Sequence, residues 1–291
     1  MNLYWWSPGR HYEYFRKEAR LNGRAWASLA LRSGRLMRNF GDEMSPLAWS
    51  IASSSKAQWS PPSSADAIAI GSILHLALRD ARRDLLVWGT GGRQDLTSAE
   101  KQRLDSWNIL AVRGPRTAAL LGSESVVTGD PGLFASELLS RPIRKKSGKK
   151  IYLPHFRAWS TNEGIDGIRS AKKLGFQVLT PAHSPKHIAE QIAESQYLAA
   201  SSLHGLIFAH ALGVPAMAVT PPGQEPDFKY RDHYESVGAR LTFRSLDQVA
   251  TALETASSLD SLPEVAYRAE ISREAGVRRE ALAKALIEHG V

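Results

Sequence analysis

The segment Ala200-Ser201-Ser202-Leu203-His204-Gly205-Leu206-Ile207 puts a histidine in what reads as the first turn of a helix, directly after an apolar run that stops at two serines. A first turn carries unpaired N–H groups and the positive end of the helix dipole, and serine is a favoured cap there. Such an end holds a phosphate or carboxylate. A histidine beside that anion can move a proton near neutral pH. The same residues also suit a capped core helix with a satisfied histidine. Val112-Arg113-Gly114-Pro115-Arg116-Thr117 sets Arg113 at a strand end and Arg116 in the next first turn. A cation at a helix N-terminus is unfavourable unless an anion is shared, and guanidinium groups match carboxylate or phosphate bidentately. A surface arginine pair is the plainer reading.

Asn39-Phe40-Gly41-Asp42 and Gly129-Asp130-Pro131 each place one carboxylate in a tight turn. There it can bond a sugar hydroxyl, act as a base, or cap its own turn. Phe228-Lys229-Tyr230-Arg231-Asp232-His233-Tyr234 interleaves charges and rings after Pro221-Pro222-Gly223. That mix can grip a sugar and an anion, and it reads as a loop. Gly89-Thr90-Gly91-Gly92 is not GxGxxG, and the P-loop, GxSxG and HExxH patterns are absent. With no cysteine in the chain, disulfides, thiolate nucleophiles and Cys-ligated metals are excluded. No other ligand cluster stands out, so no metal is expected.

These residues need elements to position them. The chain has 291 residues, enough for about two domains at roughly 150 residues each. The first half repeats one form: short apolar runs at 2–6, 67–70, 85–90, 108–112 and 125–128, each ending in a Gly-containing or polar turn. The pattern restarts at 151–153, 176–179, 197–200 and 214–219, with helical stretches between. Strands that alternate with helices predict a doubly wound parallel sheet with its loops gathered at the carboxyl ends of the strands. The fold class is therefore α/β. The expected organisation is an N-terminal domain over 1–143, a C-terminal domain over 144–263, and a closing helix over 264–291 packed back on the N-terminal domain. Arg141–Lys150, with no apolar periodicity, marks the boundary.

The net charge of +8 is concentrated. Residues 9–38 carry eight basic residues against Glu13 and Glu18, and 141–150 carry six with no acid. The rest is mildly acidic, which excludes a general nucleic-acid footprint and suits local contact with an anionic surface or ligand. Residues 9–38 read as a helical insertion with Tyr12, Phe15, Ala19, Trp26, Leu29 and Leu36 loosely on one face. No run approaches the ~18 apolar residues of a membrane helix. The start MNLYWWSPGRHYEYF lacks the basic and apolar regions of a signal peptide. A soluble, cytoplasmic protein is expected.

In order along the chain, NFGDE (39–43), IAIGSIL (68–74), VWGTG (87–91), VRGPRT (112–117), GDPGL (129–133), SSLHGLIFAHALGVP (201–215) and FKYRDHY (228–234) resemble the polysaccharide pyruvyl transferase family, most of all its succinoglycan-type branch. The resemblance implies two Rossmann-like domains facing across a cleft, as in GT-B glycosyltransferases. It implies phosphoenolpyruvate as co-substrate, a saccharide acceptor, a cyclic pyruvate ketal as product, and no further cofactor. By motif position, His204 and Leu203 fall on the donor-binding segment and Arg113 on the arginine of the first half. Ser202 stands where some members carry Arg, so the donor anion turns to Ser201, Ser202 and Leu203 at the helix start, to Arg113 and Arg116, and to Lys229. Under this reading His204 is the general acid, and Asp42 or Asp130 orients or deprotonates the acceptor hydroxyls. The insertion at 9–38 interrupts the family's usual short connection, and its charge suggests a diphosphate-linked lipid acceptor or the anionic inner membrane surface. A GT-B glycosyltransferase using a nucleotide sugar, or a non-catalytic subunit of a polysaccharide assembly, are the alternatives.

Overall fold

The structure, a computed structural model, describes residues 1–82, 84–123, 125–140, 148–223, 225–258, 261–262 and 268–291. The expected boundaries at 143/144 and 263/264 fall on or beside undescribed residues. Six strands form the first sheet: β1 (Asn2–Tyr4), β2 (Gln58–Trp59), β3 (Ala67–Ile68), β4 (Leu86–Thr90), β5 (Asn108–Val112) and β6 (Val127–Thr128). Five form the second: β7 (Lys150–Leu153), β8 (Gln177–Val178), β9 (Tyr197–Ala200), β10 (Ala216–Val219) and β11 (Phe243–Arg244). The orders are β2-β1-β3-β4-β5-β6 and β11-β10-β9-β7-β8, and the strand pairs are parallel. The protein is thus α/β with two Rossmann-like sheets. The order reverses between β1 and β3 in one sheet and between β7 and β9 in the other. Ligands of open α/β sheets bind at the carboxyl ends of strands at such reversals.

The helices are α1 (Tyr12–Ser33), α2 (Phe40–Glu43), α3 (Ser45–Ser53), α4 (Leu74–Asp80), α5 (Ser98–Leu104), α6 (Pro115–Leu120), α7 (Asn162–Lys173), α8 (Pro185–Glu194), α9 (Leu203–Ala211), α10 (Phe228–Ser236), α11 (Leu246–Thr255) and α12 (Arg268–Glu288). Helix α10 overturns the loop expected at 228–234. Its Tyr230, Asp232, His233 and Tyr234 are buried, because partners elsewhere in the chain satisfy the polar ones. The two halves share one core: Phe40, Met44, Leu133 and Phe134 from the first pack with Ile188, Leu198, Ile207 and Phe208 from the second. Helix α12 joins that core through Leu282 and Leu286, and the Trp88 indole N–H donates to the Leu282 carbonyl at 3.0 Å.

The insertion forms one long helix, α1, whose backbone leaves helical geometry at Asn22 (φ −129°, ψ 16°). That kink breaks the single face read from the sequence. Trp26 and Leu29 are buried with Ala25, but Tyr12 and Leu36 are 72% and 55% exposed, and Phe15 and Ala19 are exposed too. The second half of α1 packs on the C-terminal domain, where Trp26 stacks on Phe156 at 5.0 Å. The first half reaches the N-terminal domain, where the Tyr14 hydroxyl donates to Asp80 at 2.8 Å. Helix α1 therefore straps the two domains together across the cleft. Among the described residues no helix is long and apolar enough to cross a membrane.

Candidate active site

The cleft between the sheets holds a cavity of about 410 Å³. Turns at the carboxyl ends of the strands supply its walls: Trp6 after β1, Gly71 and Ser72 after β3, Arg93 after β4, Arg113 after β5, His155 and Phe156 after β7, and Ser202 after β9. Helix α1 adds Lys17 and Glu18. Both order reversals thus open into one space.

His204 lies in the first turn of α9 and lines the cavity. Its ring lies against the backbone of Gly41, where an added Cβ would stand 2.0 Å from Nδ1. Glycine in the NFGDE segment is therefore what lets the imidazole sit there. Behind it, His204 Nε2 lies 4.0 Å from a carboxylate oxygen of Asp130, too far to bond. Both atoms are buried without a hydrogen-bond partner. Burial, reinforced by Lys229 and Arg113, pushes His204 down to about 3, so the free site holds a neutral imidazole at pH 7. The carboxyl groups move the other way. Burial and neighbouring Glu43 raise Asp42 to about 8, and burial raises Asp130 to about 6 against the pull of the Gly132 N–H and Arg113. In the free protein it is Asp42, rather than His204, that keeps a proton at neutral pH. Asp42 lines the cavity beside the Gly71 turn; Asp130 is buried and, through Oδ1, caps the turn that follows it by accepting from Gly132 N at 2.8 Å.

Arg113 is 1% exposed, yet its guanidinium reaches the cavity wall. It donates to Asp232 at 3.0 Å, to the Ser72 hydroxyl at 2.8 Å and to the Gly92 carbonyl at 2.9 Å. A Cβ at Gly91 would lie 2.1 Å from its Cζ, so the second Gly of GTG opens the channel it occupies. Asp232 also accepts from the Thr117 N–H and hydroxyl, which ties α10 to the start of α6. This is why Asp232 is buried and why the segment is helical.

Arg116 does not reach the cavity. It grips Glu235 on the surface, donating from Nε to both carboxylate oxygens at 3.0 Å. Ser201 is also set apart. Its hydroxyl accepts from the His155 N–H at 2.9 Å and its carbonyl accepts from the Tyr230 hydroxyl at 2.7 Å, so it braces the site from behind. Ser202 and Leu203 do line the cavity, and the Ser202 side chain makes no cap bond to α9. The first-turn N–H groups of α9 therefore stay open to a ligand.

Lys229 is joined by a cluster that local sequence reading missed. Glu225, with its side chain 2% exposed, accepts from Lys229 at 2.6 Å, from Arg93 at 3.0 Å and from Arg157 at 2.9 Å. All four line the cavity. Three cations against one carboxylate leave a surplus of positive charge. Burial opposes but does not overcome the pull of Lys229, so Glu225 falls to about 2, while burial drops Lys229 to about 8. His155, also missed, is pushed well down by burial and by Lys229, and its Nδ1 has no partner. No group of three or more potential metal ligands occurs among the described residues.

Residues 3–222 match the polysaccharide pyruvyl transferase family. The chain belongs to that family. It is also similar to the succinoglycan biosynthesis protein ExoV of Rhizobium meliloti (strain 1021), at 28% identity over 210 residues. That similarity covers 71% of this chain and 63% of the relative, so the match spans less than two thirds of the relative's length. The pyruvyl transferase match takes in Asp42, Arg113, Asp130 and His204 but stops short of Glu225, Lys229 and Asp232.

Proposed function

We propose that this protein transfers the enolpyruvyl group of phosphoenolpyruvate to a sugar of an exopolysaccharide precursor and closes it into a pyruvate ketal. The observation that carries the reading is a surplus of cations lining the cavity around the buried Glu225, with the open N-terminus of α9 and a carboxyl group on Asp42 that holds its proton at pH 7 in the same cavity. The donor is a small, densely charged anion. The α9 N–H groups, Lys229, Arg93, Arg157 and the Arg113 guanidinium meet its phosphate and carboxylate. With its charge met this way, the scheme asks for no metal and no further cofactor.

In this scheme Asp42 gives its proton to the methylene carbon of phosphoenolpyruvate, making a methyl group and an electron-poor C2. One sugar hydroxyl adds to C2 and its proton passes to the neutral imidazole of His204. Asp130, close behind, stabilises the imidazolium. Phosphate leaves with the electron pair of its C2–O bond, and a second hydroxyl adds to close the ketal. His204 then hands the first hydroxyl's proton to the departing phosphate, and the second hydroxyl's proton restores Asp42. Phosphoenolpyruvate is a cytoplasmic metabolite, so the reaction belongs on the cytoplasmic side. The outer face of α1, with Arg16, Arg20 and Arg24 beside exposed Tyr12 and Leu21, is read as the side turned to an anionic inner membrane.

The test is calorimetric titration with phosphoenolpyruvate, UDP-glucose and inorganic phosphate, on the wild type and on Lys229→Ala. Binding of phosphoenolpyruvate that weakens at least tenfold in the variant is the expected result. Binding of UDP-glucose alone would replace this reading with a nucleotide-sugar glycosyltransferase.

A further inference from the structure

Helix α1 does more than strap the domains. Its Glu18 faces the cavity and is held in place by two donors on one oxygen: the Trp26 indole N–H at 2.9 Å and the Asn22 amide at 2.8 Å, both to Oε2. A carboxylate fixed in this way presents its other oxygen without losing side-chain freedom on binding. On either side stand two aromatic rings that also line the cavity, Trp6 from the N-terminal domain and Phe156 from the C-terminal domain. Both are buttressed by α1, through Tyr14 (5.4 Å from Trp6) and Trp26 (5.0 Å from Phe156). Lys17 adds positive charge to the lining, beside Arg79, whose guanidinium is paired with Asp80 at 2.7 Å.

An aromatic face with a fixed carboxylate is a hexose-binding chemistry: the ring's C–H face lies on the indole and its hydroxyls donate to the carboxylate. The Lys17 ammonium beside them suits a phosphoryl link on the same sugar. We propose that α1 builds the acceptor subsite, with a hexose against Trp6 and Glu18 and its diphosphate link lying along Lys17. This rests on the function proposed above and assigns to the insertion at 9–38 the recognition of a hexosyl diphosphate.

The experiment titrates the protein with octyl glucosyl diphosphate, octyl galactosyl diphosphate and octyl glucoside, and separately with phosphoenolpyruvate. The wild type is expected to bind at least one hexosyl diphosphate. Trp6→Leu and Glu18→Gln should each weaken that binding at least tenfold, and Lys17→Gln should weaken the diphosphate but not the glucoside. Phosphoenolpyruvate affinity should stay within about twofold throughout. Lys17 is solvent-exposed, so its variant remains folded and informative even if loss of the Trp26 bond unsettles the Glu18 variant. If the wild type binds no hexosyl diphosphate, or the variants bind it unchanged, the acceptor assignment is overturned. If phosphoenolpyruvate binds in that case, the donor reading stands; if it also fails, the proposed function falls with it.

Discussion

Replacing Asp42 by asparagine should make the protein more stable while disabling it. Burial and Glu43 raise the carboxyl from its ordinary 3.8 to about 8 in the folded state. A raised folded value means that its contribution to stability is fully present below pH 3.8 and is lost as pH rises through about 8. At pH 7 the folded chain must hold a proton that the unfolded chain has shed, at a cost of about 4 kcal/mol from 1.36 kcal/mol per pH unit. Asparagine carries no such cost. Water reaching the cavity softens the desolvation, so about 2 kcal/mol is the gain expected at pH 7. Urea denaturation of both proteins between pH 4.5 and 7.5 measures it, with equal m-values confirming that the unfolded states match. The stability difference should grow steadily with pH. A difference that is flat across this range, or a wild type that gains on the variant as pH rises, would refute the argument for a protonated Asp42. Activity should fall by ~10²–10⁴, the usual worth of general acid catalysis.

Gly41→Ala forces its new Cβ against the His204 ring, 2.0 Å from Nδ1; turnover should drop about 10²-fold from a displacement of that size, with circular dichroism unchanged. Buried His210, which pairs with His233 at 3.0 Å, is pushed down to about 4 by burial. A depressed histidine contributes fully above pH 6.5 and loses its contribution as pH falls toward 4. The stability advantage of the wild type over His210→Asn should therefore shrink by about 2 kcal/mol between pH 7 and 5, read from chemical denaturation at the two pH values. Deleting 9–38 would remove Trp26 and Leu29 from the core, so the membrane reading is better tested by Arg16→Gln, Arg20→Gln and Arg24→Gln together. At about 1 kcal/mol per surface charge, co-sedimentation with phosphatidylserine vesicles should weaken by about 100-fold, and unchanged binding would remove that role.

Much of the framework was legible because parallel strands buried on both faces read as short apolar runs, as at Leu86–Thr90 and Tyr197–Ala200. The edge strands Gln58–Trp59 and Phe243–Arg244 were not, since neither lies in a longer apolar run, unlike the equally short Ala67–Ile68 and Gln177–Val178. Helix α10 was hidden for a different reason. Its polar residues are buried against Arg113 and Thr117, more than 110 positions away, and no local window can show that. The site divides in the same way. His204 and Arg113 announce themselves at strand-to-helix turns. In the cluster on Glu225, Lys229 is a near neighbour in the chain, but Arg93 and Arg157 come from distant segments and are brought in by tertiary structure alone. Arg116 satisfied the same local rule as Arg113 but lost its anion to Glu235.

The shared core also bears on how the protein is made. Trp49 and Trp88 meet edge to face at 5.6 Å in the first half, yet the Trp88 indole finds its acceptor on Leu282. Phe40 likewise rests on Phe208 at 5.0 Å. A ribosome that has delivered only the first 140 residues has therefore released a sheet whose largest side chains still lack their cover. Such a nascent half exposes sticky aromatic surface for the whole time that the second half takes to emerge. Synthesis rate and chaperone supply, rather than final stability, should govern its yield. Splitting the two halves onto separate polypeptides would produce partners that must find each other before either is soluble.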